Sequence, residues 1–247
     1  MPQNQNTALV TGATSGIGAA TAKRLAADGA RVAVSGRSRE RGEAVVAEIA
    51  AAGGDAVFVQ ADLLQPGAAT QLAADATEAL GGHIDTLVNN AGIYIFAPAT
   101  ELSERDVEAM VRINLLAVHE LTAAIAPAML ERGSGSIVNV TSTVASKGMD
   151  GASIYGATKA AVDLLTKAWA SEFGPAGVRV TAVSPGPIHT EGVEGFGDLI
   201  SQLGAGLPSR RAGQPEEVAA AVAFLISPDA TFVQGASLSV DGGGLAV

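Results

Sequence analysis

Cysteine is absent from all 247 residues, which excludes disulfides, thiolate metal sites and cysteine nucleophiles. Histidine is sparse: His83, His119 and His189 stand too far apart to suggest a zinc site, and no metal is expected. Positive charge is also in short supply, with 15 Lys and Arg against 25 Asp and Glu and a formal net charge of −10. That balance argues against nucleic acid or an anionic membrane as the main partner. No uninterrupted apolar run approaches the ~18 residues of a membrane span. The polar start MPQNQN has neither the basic opening nor the apolar core of a signal peptide. A soluble, cytoplasmic protein is therefore expected. Linkers, low-complexity tracts and internal repeats are missing as well. One domain spanning 1–247 is expected, and at 48% hydrophobic residues it can bury a large core.

What is present is an alternation. Short β-rich runs at 7–10, 32–34, 56–59, 86–89, 137–140, 178–183 and 237–240 are separated by helical patterns near 17–28, 38–52, 66–81, 103–131, 153–173 and 215–226. The strand runs are continuously apolar rather than alternating, as strands covered on both faces require. Ser38 and Ser103 fit N-caps, Gly29 and Gly53 fit helix stops, and Pro215 fits a first helical position. Alternation of this kind predicts an α/β fold: a Rossmann-type, doubly wound parallel sheet of about seven strands with helices on both faces. The stretch 191–207, with glycines at 192, 195, 197, 204 and 206, reads either as a flap over a site or as a long surface loop.

Thr11-Gly12-Ala13-Thr14-Ser15-Gly16-Ile17-Gly18 follows the first strand and opens the first helix. Glycines in that position allow a tight turn and let backbone approach a pyrophosphate seated on the helix N-terminus. The spacing Gly-x-x-x-Gly-x-Gly is not the commoner Gly-x-Gly-x-x-Gly. It resembles the short-chain dehydrogenase/reductase family, and the resemblance assigns Gly12, Thr14, Ser15, Gly16, Ile17 and Gly18 to cofactor binding. The second strand ends in Ser35-Gly36-Arg37-Ser38, with no acid to accept from an NAD ribose 2′-hydroxyl. Gly36 leaves room there, and Arg37 can pair with a 2′-phosphate, beside Ser38. NADP(H) is thus favoured and NAD(H) remains open, since Ser15 occupies a loop position where NADP-preferring members often carry a basic residue. Arg37 also reads as a solvated loop charge near Arg39 and Arg41. Asp62-Leu63 stands where the resemblance implies adenine contact, and Asp62 reads equally as a helix cap.

Tyr155 and Lys159 lie four apart on one predicted helical face. Ser142 precedes Tyr155 by thirteen positions, the family separation, flanked by Thr141 and Thr143. Asn114 sits in an apolar stretch, 110–118, where a buried amide needs polar partners. Asn89-Asn90-Ala91-Gly92, Pro185-Gly186-Pro187-Ile188-His189-Thr190 and Asp241-Gly242-Gly243 extend the resemblance over nearly the whole chain.

Reduction of a ketone needs hydride on carbon and a proton on the developing alkoxide. A phenol with pKa about 10 is a poor base near neutrality, and a neighbouring ammonium favours its ionised form. The resemblance implies Tyr155 as the proton-transfer group, with Lys159 lowering its pKa and holding the nicotinamide ribose. It implies Ser142 orienting the substrate oxygen and Asn114 anchoring a water that links Lys159 to solvent. Asn89, Ala91, Gly92, Pro185, Gly186, Ile188 and Thr190 complete the implied cofactor contacts, with Ile188 and Thr190 at the carboxamide. His189 reads as a loop side chain, and Trp169 and Phe173 as a buried or intersubunit face.

The leading expectation is an NADP(H)-dependent carbonyl reductase resembling 3-oxoacyl-carrier-protein reductases. An NAD-dependent alcohol, sugar or steroid dehydrogenase uses the same residues, and a non-catalytic dinucleotide-binding regulator is the alternative of another class. Enoyl reductases of the family typically separate tyrosine and lysine by more residues. Tyr94, Ile95, Phe96 and Met149 are expected to shape the pocket of a small carbonyl or alcohol substrate. The weakly charged last helix and the helix of Tyr155 suit subunit packing, and the resemblance implies a homotetramer.

Overall fold

The computed structural model describes residues 6–192 and 198–247. Seven strands form one parallel sheet: β1 (Thr7–Val10), β2 (Arg31–Gly36), β3 (Asp55–Gln60), β4 (Thr86–Asn89), β5 (Gly135–Val140), β6 (Val178–Pro185) and β7 (Ser237–Val240). Their order is β3-β2-β1-β4-β5-β6-β7, so the winding reverses between β1 and β4. The helices are α1 (Gly16–Ala27), α2 (Arg39–Ala51), α3 (Ala68–Ala79), α4 (Glu104–Val111), α5 (Ala117–Arg132), α6 (Ser153–Phe173), α7 (Leu199–Ala205) and α8 (Pro215–Ile226).

Alternate residues of each central strand face opposite layers. Leu9, Leu87 and Ile137 pack with α3, α5 and α6. Val10, Val88 and Val138 pack with α1, α2 and α8. Both faces are covered, which is why these strands are apolar throughout. The edges depart from that pattern. Leu238 of β7 is exposed and only Val59 of β3 is buried, because an edge strand has one neighbour to shield it.

Helix ends follow the local signals. The Ser38 hydroxyl accepts from Arg41 N at 3.3 Å and that of Ser103 from Asp106 N at 3.2 Å. Gly29 and Gly53 are left-handed, with φ of +95° and +84°, and Pro215 opens α8. The single helix expected over 103–131 is α4 and α5 joined by a π-turn, Arg112–Leu116, with Asn114 buried at its centre. This composite helix, Glu104–Arg132, is long and apolar enough by length and composition to cross a bilayer. It is interrupted by Arg112 and Glu120, which pair with each other, and half of its most apolar window is buried inside the protein, on the α3 side of the sheet. The stretch 191–207 contains the short helix α7, which its glycines concealed; Gly195 and Gly197 lie outside the described residues.

A buried polar ladder ties the middle of the sheet to the α5–α6 layer. Asn89 Nδ2 donates to Asn139 Oδ1 at 2.9 Å and to Thr122 Oγ1 at 3.3 Å, and Asn139 Nδ2 donates to Thr166 Oγ1 at 2.8 Å. Removing one member strands the others away from water. Asn139→Ala is expected to lower unfolding stability by about 1–3 kcal/mol. Chemical denaturation checks this, and an unshifted midpoint would show that the ladder contributes nothing.

Candidate active site

The glycine loop is built by close backbone approach. A Cβ on Gly18 would stand 2.3 Å from the Gly12 carbonyl oxygen, so only glycine fits there. Gly36 is constrained by the same loop: its Cβ would meet Thr14 Cγ2 at 2.5 Å. Thr11 and Asn90, neither singled out as a ligand in the sequence, lock this loop to the end of β4. Thr11 Oγ1 accepts from Asn90 N and Ala91 N at 3.1 and 3.0 Å, while Asn90 Nδ2 donates to the carbonyls of Thr11 and Gly12. The Asn90 of the motif was the available signal.

These loops open onto a cleft of ≈ 1210 Å³ along the C-terminal ends of the strands. Pockets for single drug-sized ligands run to about 1,000 Å³, so this one has space for a dinucleotide and a second small molecule. Gly12, Thr14, Ser15, Gly16, Ile17 and Gly18 line one end with Arg37, Asp62 and Leu63. Ala91, Gly92, Pro185, Gly186, Ile188 and Thr190 line the middle, and Ser142, Tyr155 and Lys159 the floor. Ile95 of the expected substrate pocket and three of the expected catalytic and cofactor residues stand back from the lining. Ser38 caps α2, Asn89 belongs to the buried ladder, and Asn114 lies behind the floor. Arg41, which the sequence offered only as a neighbour of Arg37, also lines the cleft. Asp62 turns its carboxylate onto Leu64 N at 3.2 Å and Gln65 Nε2 at 3.3 Å, so a turn-forming role and a place in the lining coexist.

Asn114 satisfies its buried amide completely. Oδ1 accepts from Ile93 N at 2.8 Å, and Nδ2 donates to Ile93 O at 2.8 Å and Thr158 Oγ1 at 3.2 Å. The amide therefore clamps the strand-to-helix loop that carries Ile93 and Tyr94 beside the Tyr155 helix. Gly92 lies between it and the lysine: a Cβ there would be 3.3 Å from both Asn114 Oδ1 and Lys159 Nζ.

Among Thr141, Ser142 and Thr143, only Ser142 acts on the phenol. Thr141 Oγ1 is committed to Val183 O at 3.0 Å. Burial raises the Tyr155 pKa above its ordinary value, the Ser142 hydrogen bond opposes that, and Tyr94 adds to the rise. Lys159 Nζ donates to Val140 O at 2.8 Å and stands 6.0 Å from the Tyr155 ring centre. Burial lowers the Lys159 pKa from 10.5 to about 8, since only one carbonyl replaces its water. Tyr94 and Phe96 pack edge-on to Tyr155 at 6.1 and 5.9 Å, and Met149, Leu199 and Leu203 continue this wall. Trp169 and Phe173 are buried in the core, and His189 is exposed outside the lining.

The lysine shift has a sign that can be measured. Below pH 8 both folded and unfolded chains carry the ammonium, and the fold bears the full cost of burying it. Between pH 8 and 10.5 the unfolded chain binds more protons, so wild-type stability gains from rising pH. The stability of Lys159→Met relative to wild type should therefore fall by about 3 kcal/mol between pH 7 and pH 11. Paired denaturant titrations at the two pH values test this; a pH-independent difference would refute the buried charge.

Residues 12–244 match the family model described as enoyl-(acyl carrier protein) reductase. A 3-oxoacyl-[acyl-carrier-protein] reductase of Synechocystis sp. is 41% identical over 239 residues, covering 96% of this chain and 95% of its own. A solved short chain dehydrogenase/reductase family protein superposes with a TM-score of 0.90 at 49% identity, over 98% of each chain. A blue fluorescent protein from a metagenomic library, solved in complex with NADPH, gives a TM-score of 0.90 at 38% identity over 98% of this chain and 99% of its own. With the glycine loop, the serine–tyrosine pair and the buried lysine assembled on one parallel sheet, the chain belongs to the short-chain dehydrogenase/reductase family of oxidoreductases.

Proposed function

We propose that this protein is an NADP(H)-dependent oxidoreductase that moves hydride between nicotinamide and a carbonyl or secondary-alcohol carbon, with Tyr155 as general acid or base. The observation that carries the reading is the convergence of Ser142, Tyr155 and Lys159 on the floor of a cleft whose far end is the glycine loop. The Gly12–Gly18 loop, Asp62, Leu63, Ala91, Gly92, Pro185, Gly186, Ile188 and Thr190 would hold the dinucleotide. Arg37 and Arg41 favour a 2′-phosphate, and no acid at the end of β2 repels it. The NADPH held by a relative of the same fold supports that preference.

When bound, the nicotinamide supplies or accepts the hydride. This chain's own part is positional and electrostatic. Ser142 directs the substrate oxygen at Tyr155, and the aromatic wall of Tyr94 and Phe96 excludes water from the phenol. The Tyr155 phenol carries its proton near neutral pH and can give it to an alkoxide formed by reduction; in alcohol oxidation the same oxygen takes the proton. Lys159, beside the phenol ring, would hold the ribose hydroxyls of the bound dinucleotide, and Asn114 acts behind it through Ile93 and Thr158. Met149, Leu199 and Leu203 favour carbonyl compounds with apolar substituents over polyols. Exposed Leu164 on α6, Phe224 on α8 and Phe232 support self-association through those helices.

The test is consumption of NADPH and of NADH over a carbonyl panel, by wild type and by Tyr155→Phe. Wild type should turn over with NADPH preferred. The variant should lose activity by roughly 10²–10⁴-fold while its NADPH dissociation constant stays within about threefold. Near-wild-type turnover by Tyr155→Phe would overturn the proton-transfer role, and a preference for NADH would overturn the cofactor assignment.

A further inference from the structure

The first turn of α1 contains no acidic residue, and its N-cap, Ser15, makes no side-chain capping bond. The turn is nonetheless capped by an acid. Glu191, six residues beyond the end of β6 and 175 positions from Gly16 in sequence, places Oε2 2.9 Å from Gly16 N. Thr190 leads it there: a Cβ on Gly16 would meet Thr190 Cγ2 at 3.0 Å and Glu191 Oε2 at 3.7 Å.

A helix N-terminus offers unpaired amides and the positive end of its dipole, and so favours an anion. In the proposed cofactor site this is the position for the dinucleotide's diphosphate. One amide hydrogen cannot serve both acceptors well, and a carboxylate left beside a diphosphate would repel it. We propose that Glu191 is an internal competitor for the diphosphate seat: its carboxylate occupies Gly16 N–H until the dinucleotide displaces it. Binding affinity is therefore reduced by the stability of the Glu191–Gly16 contact. The handicap is selective. It applies to ligands whose phosphates reach Gly16 and spares those that fill only the adenosine end.

This inference rests on the dinucleotide site proposed above, and fluorescence or calorimetric titration of the purified full chain separates the two. Probes are NADPH and adenosine 2′-monophosphate, which keeps the 2′-phosphate but has no phosphate on the 5′ side. Relative to wild type, Glu191→Ala should bind NADPH about two- to fivefold tighter, the range expected for an exposed charge at a helix end. Glu191→Gln should tighten less, because its amide oxygen still accepts from Gly16 N, and adenosine 2′-monophosphate should bind all three proteins alike. Unchanged or weaker NADPH binding by a folded Glu191→Ala protein overturns the competition. Equal tightening of both probes also overturns it, since that is general relief of negative charge. If wild type binds neither probe, the dinucleotide site fails, and this inference with it.

Discussion

The pairing of β1 with β4 is the constraint on which the cleft depends. Ala8, Leu9 and Val10 lie in register with Thr86, Leu87 and Val88, and the chain winds outward in opposite directions from this pair. The connections leaving β1 and β4 must therefore part to opposite faces, which opens a crevice at their C-terminal ends. Thr11 and Asn90, the residues just beyond those ends, bind the two exits together. Most of the lining then comes from strand ends or the turns after them: the glycine loop after β1, Arg37 after β2, Asp62 after β3, Ser142 after β5 and Ile188 after β6, with Tyr155 and Lys159 brought in on α6.

The floor of this crevice is electrostatically costly, and its cost is organised. Lys159 is held on a single carbonyl in the interior, which makes its ammonium easier to deprotonate. Tyr155 is surrounded by aromatic and apolar groups that keep its proton on, with Ser142 pulling the other way. Burial thus pushes both groups toward their neutral forms from opposite sides. Asn114 contributes indirectly: the π-turn presents its amide to the Ile93 backbone, which fixes the loop bearing Tyr94 against the Tyr155 helix.

Most of the frame was legible in the sequence because apolar runs and cap residues report directly on buried strands and helix ends. All seven strands, the caps at Ser38 and Ser103 and the start of α8 at Pro215 follow from such local signals. Features set by tertiary contact did not show. The π-turn carries Asn114 into bonds with Ile93 and Thr158, and nothing in the helical period announces it. Helix α7 was hidden by Gly204, which is glycine because its Cβ would fall 2.1 Å from Ala212 N. Asn89 matched a motif expected at the cofactor, but as the last residue of β4 its side chain turns into the sheet layer, and its neighbour Asn90 faces the loop instead. Arg41 matched no motif, and only the fold turns it into the cleft with Arg37. Glu191 carried no motif at all, since its partner lies across the cleft.

Hydride transfer from a nicotinamide at this cleft is checked by mass spectrometry of the alcohol formed from a ketone the protein accepts, using NADPH deuterated at either face of C4. One deuterium is expected on the carbinol carbon from one of the two labelled faces and none from the other. Equal transfer from both faces, or an alcohol without deuterium from either, would rule out stereospecific hydride transfer here.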